Sequence, residues 1–446
     1  EGKEVLYKNQ IFAQDILHPI LTAQAYFKDY KNNVLEIEVG NMQFLPIKIL
    51  GLRTKDQFIQ VKQATLLQPK IPERPVDFIS VSFPLDKKPT ATDFDEIFLE
   101  YNMLGLDETS QVKVFPWTYL DQDFEQNDIM RKAPNYFLFP FLTVDIANKE
   151  IRIKRGSWSI YSDLIVPAGF KFIAEGGATI TLFNQAKIIS FSPVFFLGAE
   201  ESPVVFKGQG GQGLFVVKAK ETSQIRYTSF EGLSLLSAGD WKLTGGLVFY
   251  RSPVNISFSS FSGNKDGDDL VNLVLSDISI SNSSFSNSLY DALDLDFAKG
   301  TIKDTTFLNC GKVGGEAGGG DCLDFSGSNI ELANLSFSGA TDKGISIGER
   351  SEVSSDNITI DKANIGIASK DDSFVSVSNV KISDSNIGLA IFQKKTEYGP
   401  SNLVVNNLEK INVKDLSWLE QGSTLTIDNK AQKPNQTNVA EKLYGN

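Results

Sequence analysis

The sequence is poor in several residues that carry enzyme chemistry. It contains one histidine, His18, two cysteines and three methionines among 446 residues. His18 lies in the first of the two domains predicted below, so histidine-based catalysis is excluded for the second. There is no run of about 18 apolar residues, and no membrane-spanning helix is therefore predicted. The phosphate-binding pattern G-x-x-x-x-G-K-[ST] is absent as well.

Positive charge is scarcer than negative charge. The chain has 43 Lys and Arg against 55 Asp and Glu, a net charge of -12. Such a surface repels phosphates, which excludes a general nucleic-acid binder, but it suits calcium and other cationic ligands. The composition is that of a folded protein, and the length predicts two domains or one elongated repeat domain.

Cys310 and Cys322 stand at the two ends of a glycine-rich stretch, CGKVGGEAGGGDC. Two interpretations stay open. A disulfide would close this loop and would suit an exported protein. Two free thiols would instead fill space in a core.

Residues 1–145 are predicted to form an independent β domain. NVLEIEVG alternates apolar and polar residues as a half-buried strand does, and LPIKILG, FISVSFPL and QVKVFPW repeat the pattern. Strands of this size with turn signals between them predict a β-sandwich-like domain, with a charged linker, DQDFEQNDIMRKAP, near its end. If the protein is a non-catalytic surface protein, this domain is expected to serve as an adhesion or docking module for a protein partner.

Residues 150–430 contain internal repeats such as VNISFSSFSGN, ISISNSSFSNS and IELANLSFSGA. A period near 22 residues predicts a parallel β-helix with three short strands per coil, whose stacked coils share one core. Residues 431–446 are predicted to be a frayed polar tail. The period aligns three inward series: Phe249, Val271 and Leu293; Leu323, Ile345, Ile367 and Leu389; and Phe261, Phe285, Phe307 and Phe337.

The same register places many carboxylates on an outer face. YDALDLDF (290–297) and its near copy GDCLDFSG (320–327) alternate inward apolar and outward acidic residues. Three outward columns result: Asp269, Asp291, Asp321 and Lys343; Asn272, Asp294, Asp324, Ser346 and Ala368; and Val274, Asp296, Ser326, Gly348 and Lys370.

Carboxylates stacked about 4.8 Å apart repel one another, so this face needs compensation. Lys343 and Lys370 can pair with the acids. Calcium can bind among them, with Asp269, Asp291 and Asp321 as the predicted ligands. Some carboxyls can also stay protonated through raised pKa values. The alternative without a function is a solvated acidic face with Asp at turn corners.

The chain also resembles a known superfamily. The phrases SGNKDGDDLVN, LYDALDLDFAKGTI, GGGDCLDFSGS, DKGISIGERS, IGIASKDDS and GLAIFQKKTEYGP are similar to right-handed parallel β-helix proteins of the pectate-lyase-like superfamily. They most resemble the bacterial β-helix domains found beside spore-coat-H-type kinase-like domains, whose kinase-like activity is not implied here. The resemblance implies a right-handed β-helix, an extracytoplasmic location (periplasmic, cell-surface or secreted) and a polysaccharide ligand on the polar face.

DCLD followed by KGISIG is similar to the polygalacturonase-type glycosidases as well. Gly320 stands where that family has the first Asp of a pair, and Lys343 stands where it has a His. These departures argue against a standard hydrolase of that type.

Two functions follow as hypotheses. The first is a polysaccharide lyase or glycoside hydrolase, in which carboxylates or lysines act as acid, base or charge clamp. The second is a non-catalytic surface, adhesion or scaffold protein that binds glycan or protein. The catalytic candidates are Asp294, Asp296, Asp324, Lys343 and Lys370. The substrate-binding candidates are Ser346, Glu349, Arg350, Lys394 and Lys395.

Overall fold

The computed structural model describes residues 23–71, 76–118, 128–311 and 319–445. His18, residues 121–127 of the charged segment and most of the glycine-rich loop lie outside the described residues. The chain divides into two compact units, Glu1–Gln126 and Asn127–Asn446. No helix within the described ranges is long and apolar enough to cross a membrane.

The described residues of the first unit form one seven-stranded sheet in the order β4-β3-β6-β7-β1-β2-β5. Its curvature is barrel-like, so residues from distant strands, such as Ile37 and Ile49, share one buried core. The prediction of an all-β domain is confirmed, with a single curved sheet. The strands are β1 (Ala23–Lys31), β2 (Val34–Asn41), β3 (Ile47–Arg53), β4 (Phe58–Leu67), β5 (Phe78–Pro84), β6 (Phe98–Met103) and β7 (Thr109–Phe115).

The second unit is a parallel β-helix of about eleven turns. Its first strands are β8 (Leu142–Asp145), β9 (Glu150–Ile153), β10 (Gly156–Ile160), β11 (Leu164–Val166), β12 (Lys171–Glu175), β13 (Ala178–Leu182), β14 (Ile188–Ser190), β15 (Val194–Leu197), β16 (Val204–Gly208), β17 (Leu214–Val217), β18 (Ser223–Arg226), β19 (Thr228–Glu231), β20 (Leu236–Ala238), β21 (Trp241–Leu243), β22 (Gly245–Tyr250), β23 (Val254–Ser257) and β24 (Ser260–Ser262).

The later coils continue the same pattern. Their strands are β25 (Asp269–Val274), β26 (Asp277–Ser281), β27 (Ser284–Ser286), β28 (Asp291–Asp296), β29 (Lys299–Lys303), β30 (Thr306–Cys310), β31 (Leu323–Ser326), β32 (Asn329–Ala340), β33 (Lys343–Gly348), β34 (Glu352–Asp361), β35 (Ile365–Lys370), β36 (Phe374–Ser383), β37 (Ile387–Phe392), β38 (Asn402–Ile411), β39 (Asp415–Leu419), β40 (Thr424–Ile427) and β41 (Lys430–Ala431).

Each coil contributes one strand to an eleven-stranded sheet, which we call the site sheet, in the order β11-β14-β17-β22-β25-β28-β31-β33-β35-β37-β39. The remaining coil strands form the other walls. In β32, β34, β36 and β38 the second and third strands of a coil merge into one bent strand. The bend falls at an asparagine with positive φ, as at Asn334 and Asn357, because asparagine tolerates the left-handed region.

The predicted register is confirmed in the later coils, where Leu293, Leu323, Ile345, Ile367 and Leu389 are successive partners. The four predicted phenylalanines also stack along the core, with ring centroids 4.7–5.0 Å apart.

One part of the predicted register is wrong. Val271 pairs with Leu247, and Phe249 pairs with Leu273 instead of Val271. The coil that runs from β22 to β25 is two residues longer than the fixed period. The reason is that the loop between β24 and β25 is longer than the loop between β27 and β28.

The ends of the second unit differ from the expected boundaries. Strand β8, which the sequence placed in the first domain, pairs with β9 of the solenoid. The predicted frayed tail contains a helix, α1 (Val439–Tyr444). Val439 is fully buried against Phe392 and its neighbours, so apolar contacts hold this segment in place.

Cys310 and Cys322 form a disulfide, with their Cα atoms 5.2 Å apart. The bond joins β30 to the residue that precedes β31. Of the two interpretations left open by the sequence, the structure therefore has the bonded one.

Candidate functional site

One outward column of the site sheet changes from apolar to polar and back along the solenoid. Successive partners in the column are Ile165, Ile189, Phe215, Val248, Asn272, Asp294, Asp324, Ser346, Ala368, Ala390 and Trp418. The first apolar part packs against Ile129 and the β20–β21 hairpin. The last packs against α1. Only the middle of this column is therefore polar.

We call this polar middle the acidic window. The site sheet brings all five predicted catalytic residues and the three predicted metal ligands to it, together with Ser346. Its members are Asp269, Asn272, Asp291, Asp294, Asp296, Asp321, Asp324, Lys343, Ser346 and Lys370.

The first part of the window contains carboxyls with no lysine partner among the described residues. The Asn272 side-chain amide donates to Asp294 Oδ2 at 2.7 Å and to Asp296 Oδ2 at 3.1 Å. Burial, reinforced by neighbouring carboxylates, raises the pKa of Asp294 well above its usual range. The pKa of Asp296 is raised by the same causes, although its hydrogen bond with Asn272 opposes them.

Asp269 and Asp291 lie at the edge of this part. Burial raises the pKa of Asp269 to about 7, against a hydrogen bond from Thr244. Asp269 Oδ2 is buried and has no hydrogen-bond partner in the described structure. Asp291 Oδ1 accepts from the backbone N–H of Asp321 at 2.7 Å. Burial, together with Asp321 and Asp324, still raises the pKa of Asp291 well above its usual value.

The second part of the window contains buried ion pairs. Lys343 Nζ contacts Asp321 Oδ1 at 3.2 Å and Oδ2 at 3.4 Å, and it also pairs with Asp342. Burial raises the pKa of Asp321 to about 6, even though Lys343 opposes this shift. Burial alone would lower the pKa of Lys343, but the two carboxylates outweigh it and raise that pKa.

Asp324 is the one window carboxyl with a lowered pKa. Burial acts to raise it, but the charge of Lys370, a hydrogen bond with Ser346 and the backbone N–H of Phe325 together prevail. Lys370 Nζ lies 3.9 Å from Asp324 Oδ1 and donates to Ser346 Oγ at 2.7 Å. Asp324 is therefore held ionised by a buried lysine.

Four predicted substrate-binding residues lie beyond the window, toward the C-terminal coils. Glu349 pairs with Lys395. Arg350 is exposed and bonds Asp372 at 3.1 Å. Lys394 Nζ lies 4.7 Å from the centre of the Tyr444 ring. Burial, reinforced by Lys370 and Lys343, lowers the pKa of Lys394.

Three residues near the window were missed as site candidates. Asn272 stood in the aligned column and could have been found there, because it precedes the two acids that it bonds. Asp342 was next to Lys343, but sequence does not show which carboxylate a lysine reaches. Tyr444 gave no signal, since its place beside Lys343 depends on how α1 packs.

A cation could bind where carboxylates converge. Oxygen atoms of Asp291, Asp321 and Asp324 lie within 4.8 Å of one another. Two of these are among the three predicted ligands, and Asp324 is the third member in place of Asp269. The set offers the hard oxygen ligands that calcium prefers. However, Lys343 already contacts both oxygens of Asp321, so a calcium ion would lie close to an ammonium group.

Comparison with known proteins agrees with the fold. The family model described as a right-handed β-helix region matches residues 245–408, which supports the predicted handedness. No curated protein matches the chain.

Several solved structures are similar to parts of the chain. An alginate lyase from Paenibacillus sp. str. FPU-7 is 12% identical with a TM-score of 0.33, covering 56% of this chain and 91% of that one. The catalytic domain of a GH87 α-1,3-glucanase in complex with nigerose is 11% identical with a TM-score of 0.31, covering 94% and 96%. The A-module of a mannuronan C-5 epimerase from Azotobacter vinelandii is 10% identical with a TM-score of 0.24, covering 64% and 91%. Similarities this low carry no conclusion about the activity of this chain.

Proposed function

We propose that the acidic window binds a polysaccharide and hydrolyses its glycosidic bonds, with Asp294 as the acid and Asp324 as the ionised carboxylate. One observation carries this proposal. Asp294 and Asp324 are partners on adjacent strands, and their surroundings push their pKa values in opposite directions. A glycosidase needs one protonated and one ionised carboxyl beside the same bond.

The spacing favours the retaining course. Adjacent strands are about 4.8 Å apart, close to the carboxyl separation of about 5–5.5 Å in retaining enzymes. Asp294 would donate its proton to the glycosidic oxygen while Asp324 attacks the anomeric carbon, and the bond to the leaving sugar breaks. Water, deprotonated by the now ionised Asp294, would then cleave the glycosyl ester and restore both groups.

Lys343 and Lys370 serve this chemistry as cations. The pKa of each lysine is raised. A lysine that stays protonated at neutral pH cannot abstract a proton, which makes a lyase with a lysine base the less favoured candidate. In the proposed enzyme Lys370 keeps Asp324 ionised, and Lys343 neutralises Asp321.

The substrate class and location rest on other support. The resemblance to pectate-lyase-like proteins supplies the polysaccharide as a fold-level analogy. The disulfide between Cys310 and Cys322 supports an extracytoplasmic location, because such bonds persist in oxidising compartments.

Calcium is a second candidate for charge compensation. The three converging carboxylates favour it, and the position of Lys343 opposes it. If calcium binds, it would be held by Asp291, Asp321 and Asp324 and would supply positive charge beside the window.

The test is release of reducing ends from a panel of neutral and acidic polysaccharides. Asp294→Asn and Asp324→Asn should each lower the rate by at least about 100-fold. Asp277→Asn is the matched control, because Asp277 is an exposed residue on the next strand of the same coil as Asp269.

Proton NMR of the first product would check the retaining course. Release that survives both window substitutions would contradict the proposal. Binding without release from any glycan would instead favour the non-catalytic alternative.

A further inference from the structure

Phe297 is the last residue of YDALDLDF and plays no part in the chemistry above. It directly follows Asp296 at the rim of the acidic window, and 53% of its surface is exposed. A single exposed hydrophobic residue is common and by itself indicates nothing. The backbone of Phe297, however, lies in the left-handed region with a φ of 52°. That conformation is unfavourable for a bulky side chain.

The opposite corner of the same coils shows that a bulky residue in the left-handed conformation is avoidable. There the left-handed positions hold Asn282, Asp304 and Asn334, residue types that adopt positive φ readily. At the rim of the window the equivalent positions hold Leu275, Phe297 and Gly327. Leu275 is also exposed, at 42%. In these three coils the opposite corner, which needs only a turn, holds Asn or Asp. The two apolar residues at the rim therefore point to a role outside folding.

The environment of Phe297 fixes its ring and leaves it accessible. The ring packs directly against Gly327, where an added Cβ would lie 2.6 Å from two ring carbons. Tyr227 and Phe258 also occupy left-handed corners, but they stack on each other with centroids 5.0 Å apart. Within the described residues no aromatic ring stacks on Phe297. Its ring is thus supported by the next coil and lacks an aromatic partner of its own.

We propose that Phe297 and Leu275 form a ledge on which a pyranose ring of the bound glycan stacks. The inference rests on the proposed function and deepens it by naming a sugar-binding subsite. The electron-rich face of an aromatic ring attracts the C–H groups of a sugar, which line one face when the hydroxyls are equatorial. Asp296, the preceding residue, would accept a hydrogen bond from a hydroxyl of the same sugar. The ledge therefore favours pyranoses with mainly equatorial hydroxyls.

The first experiment measures binding without turnover. Calorimetry on the Asp294→Asn variant measures the dissociation constant for a glycan. The glycan used is the one from which the active protein releases reducing ends. Phe297→Ala should weaken binding about tenfold, the size expected for loss of one stacking contact. Phe297→Tyr should bind within about twofold of the parent. Phe374→Ala is the matched control, since Phe374 is 57% exposed at the start of β36, away from the site sheet.

A second variant separates binding from folding. Phe297→Asn places a residue that tolerates positive φ at this corner, so its melting temperature should equal or exceed that of the parent. Its binding should still be about tenfold weaker. In the active protein, Phe297→Ala should raise KM by a larger factor than it lowers kcat.

The outcomes keep the two proposals apart. If Asp324→Asn abolishes release while Phe297→Ala and Phe297→Asn leave affinity and KM unchanged, the ledge is wrong and the proposed function stands. If Phe374→Ala weakens binding as much as Phe297→Ala, the ledge is also wrong. A panel with neither binding nor release overturns both proposals.

Discussion

The two strands at the centre of the acidic window hold aspartates at aligned positions but place them in different electrostatic surroundings. On β28, Asp294 and Asp296 receive hydrogen bonds from an uncharged amide, and burial raises their pKa values. On β31, Asp324 lies beside Lys370, and its pKa is lowered despite burial. The backbone is nearly the same, so the difference comes from a lysine two coils further along the chain.

This difference shows how a repeat fold can build a site. Each coil adds one row, and a charge placed in one row acts on rows above and below it because they are about 4.8 Å apart. Within the acidic window the two lysines, Lys343 and Lys370, lie in the rows that follow the acidic rows. The result is a gradient along the window, from carboxyls that favour protonation to carboxylates paired with cations.

The largest expected effect comes from removing the cation at the paired end. Lys343→Met would leave Asp321 and Asp342 without their ammonium partner, and Asp321 is buried. Breaking a buried pair in this way should lower the free energy of unfolding by about 3–5 kcal/mol. Urea denaturation followed by circular dichroism measures this change.

Lys381→Met is the matched control for that experiment. Lys381 forms a half-exposed pair with Glu409 at 2.9 Å on another wall of the solenoid. Its loss should cost no more than about 1 kcal/mol. If both substitutions cost the same, the window lysine is not a buried charge partner and the contrast between the two strands is lost.

Part of this site follows from sequence alone. A side-chain period of two and a coil period near 22 place Asn272, Asp294 and Asp324 in one column, and that prediction is confirmed. The pKa of Asp324 does not follow from the pattern. It depends on Lys370 crossing from its own column to Ser346, a choice of side-chain conformation that spacing does not determine.

Loops and the chain end limit the rest of the prediction. The assumption of a fixed period misaligned Phe249. A longer corner loop leaves the strands intact but changes the number of residues between equivalent positions in adjacent coils. The packing of α1 was missed because six residues with one strongly buried side chain, Val439, give too weak a periodic pattern.

The unpaired end of the window should make stability depend on pH. Asp269 has a folded-state pKa of about 7, above the value of about 3.9 for an unfolded Asp. The folded state therefore binds more protons between these values. Its stabilisation from this group is present at low pH and is lost as pH rises through about 7.

The Asp269→Asn variant tests that dependence. Urea midpoints measured from about pH 4 to pH 8 should fall with rising pH less steeply for the variant than for the wild type. Asp277→Asn, at an exposed position in the same coil, should keep the wild-type slope. A slope that is unchanged in Asp269→Asn would show that Asp269 ionises in the folded state as freely as in the unfolded chain.

The smallest expected effect is that of calcium on the wild-type protein. Lys343 contacts both oxygens of Asp321, so a divalent ion must displace or approach an ammonium group to use this carboxylate. The melting temperature of the wild type should therefore change by less than about 1 °C between excess calcium and chelator.

In Lys343→Met the three converging carboxylates lose that cation, and calcium should raise the melting temperature by several degrees, on the order expected for one bound ligand. Adding Asp321→Asn to Lys343→Met should abolish the gain. A calcium-dependent rise in the wild type that disappears in Lys343→Met would reverse this argument, because the lysine would then support the metal site instead of replacing it.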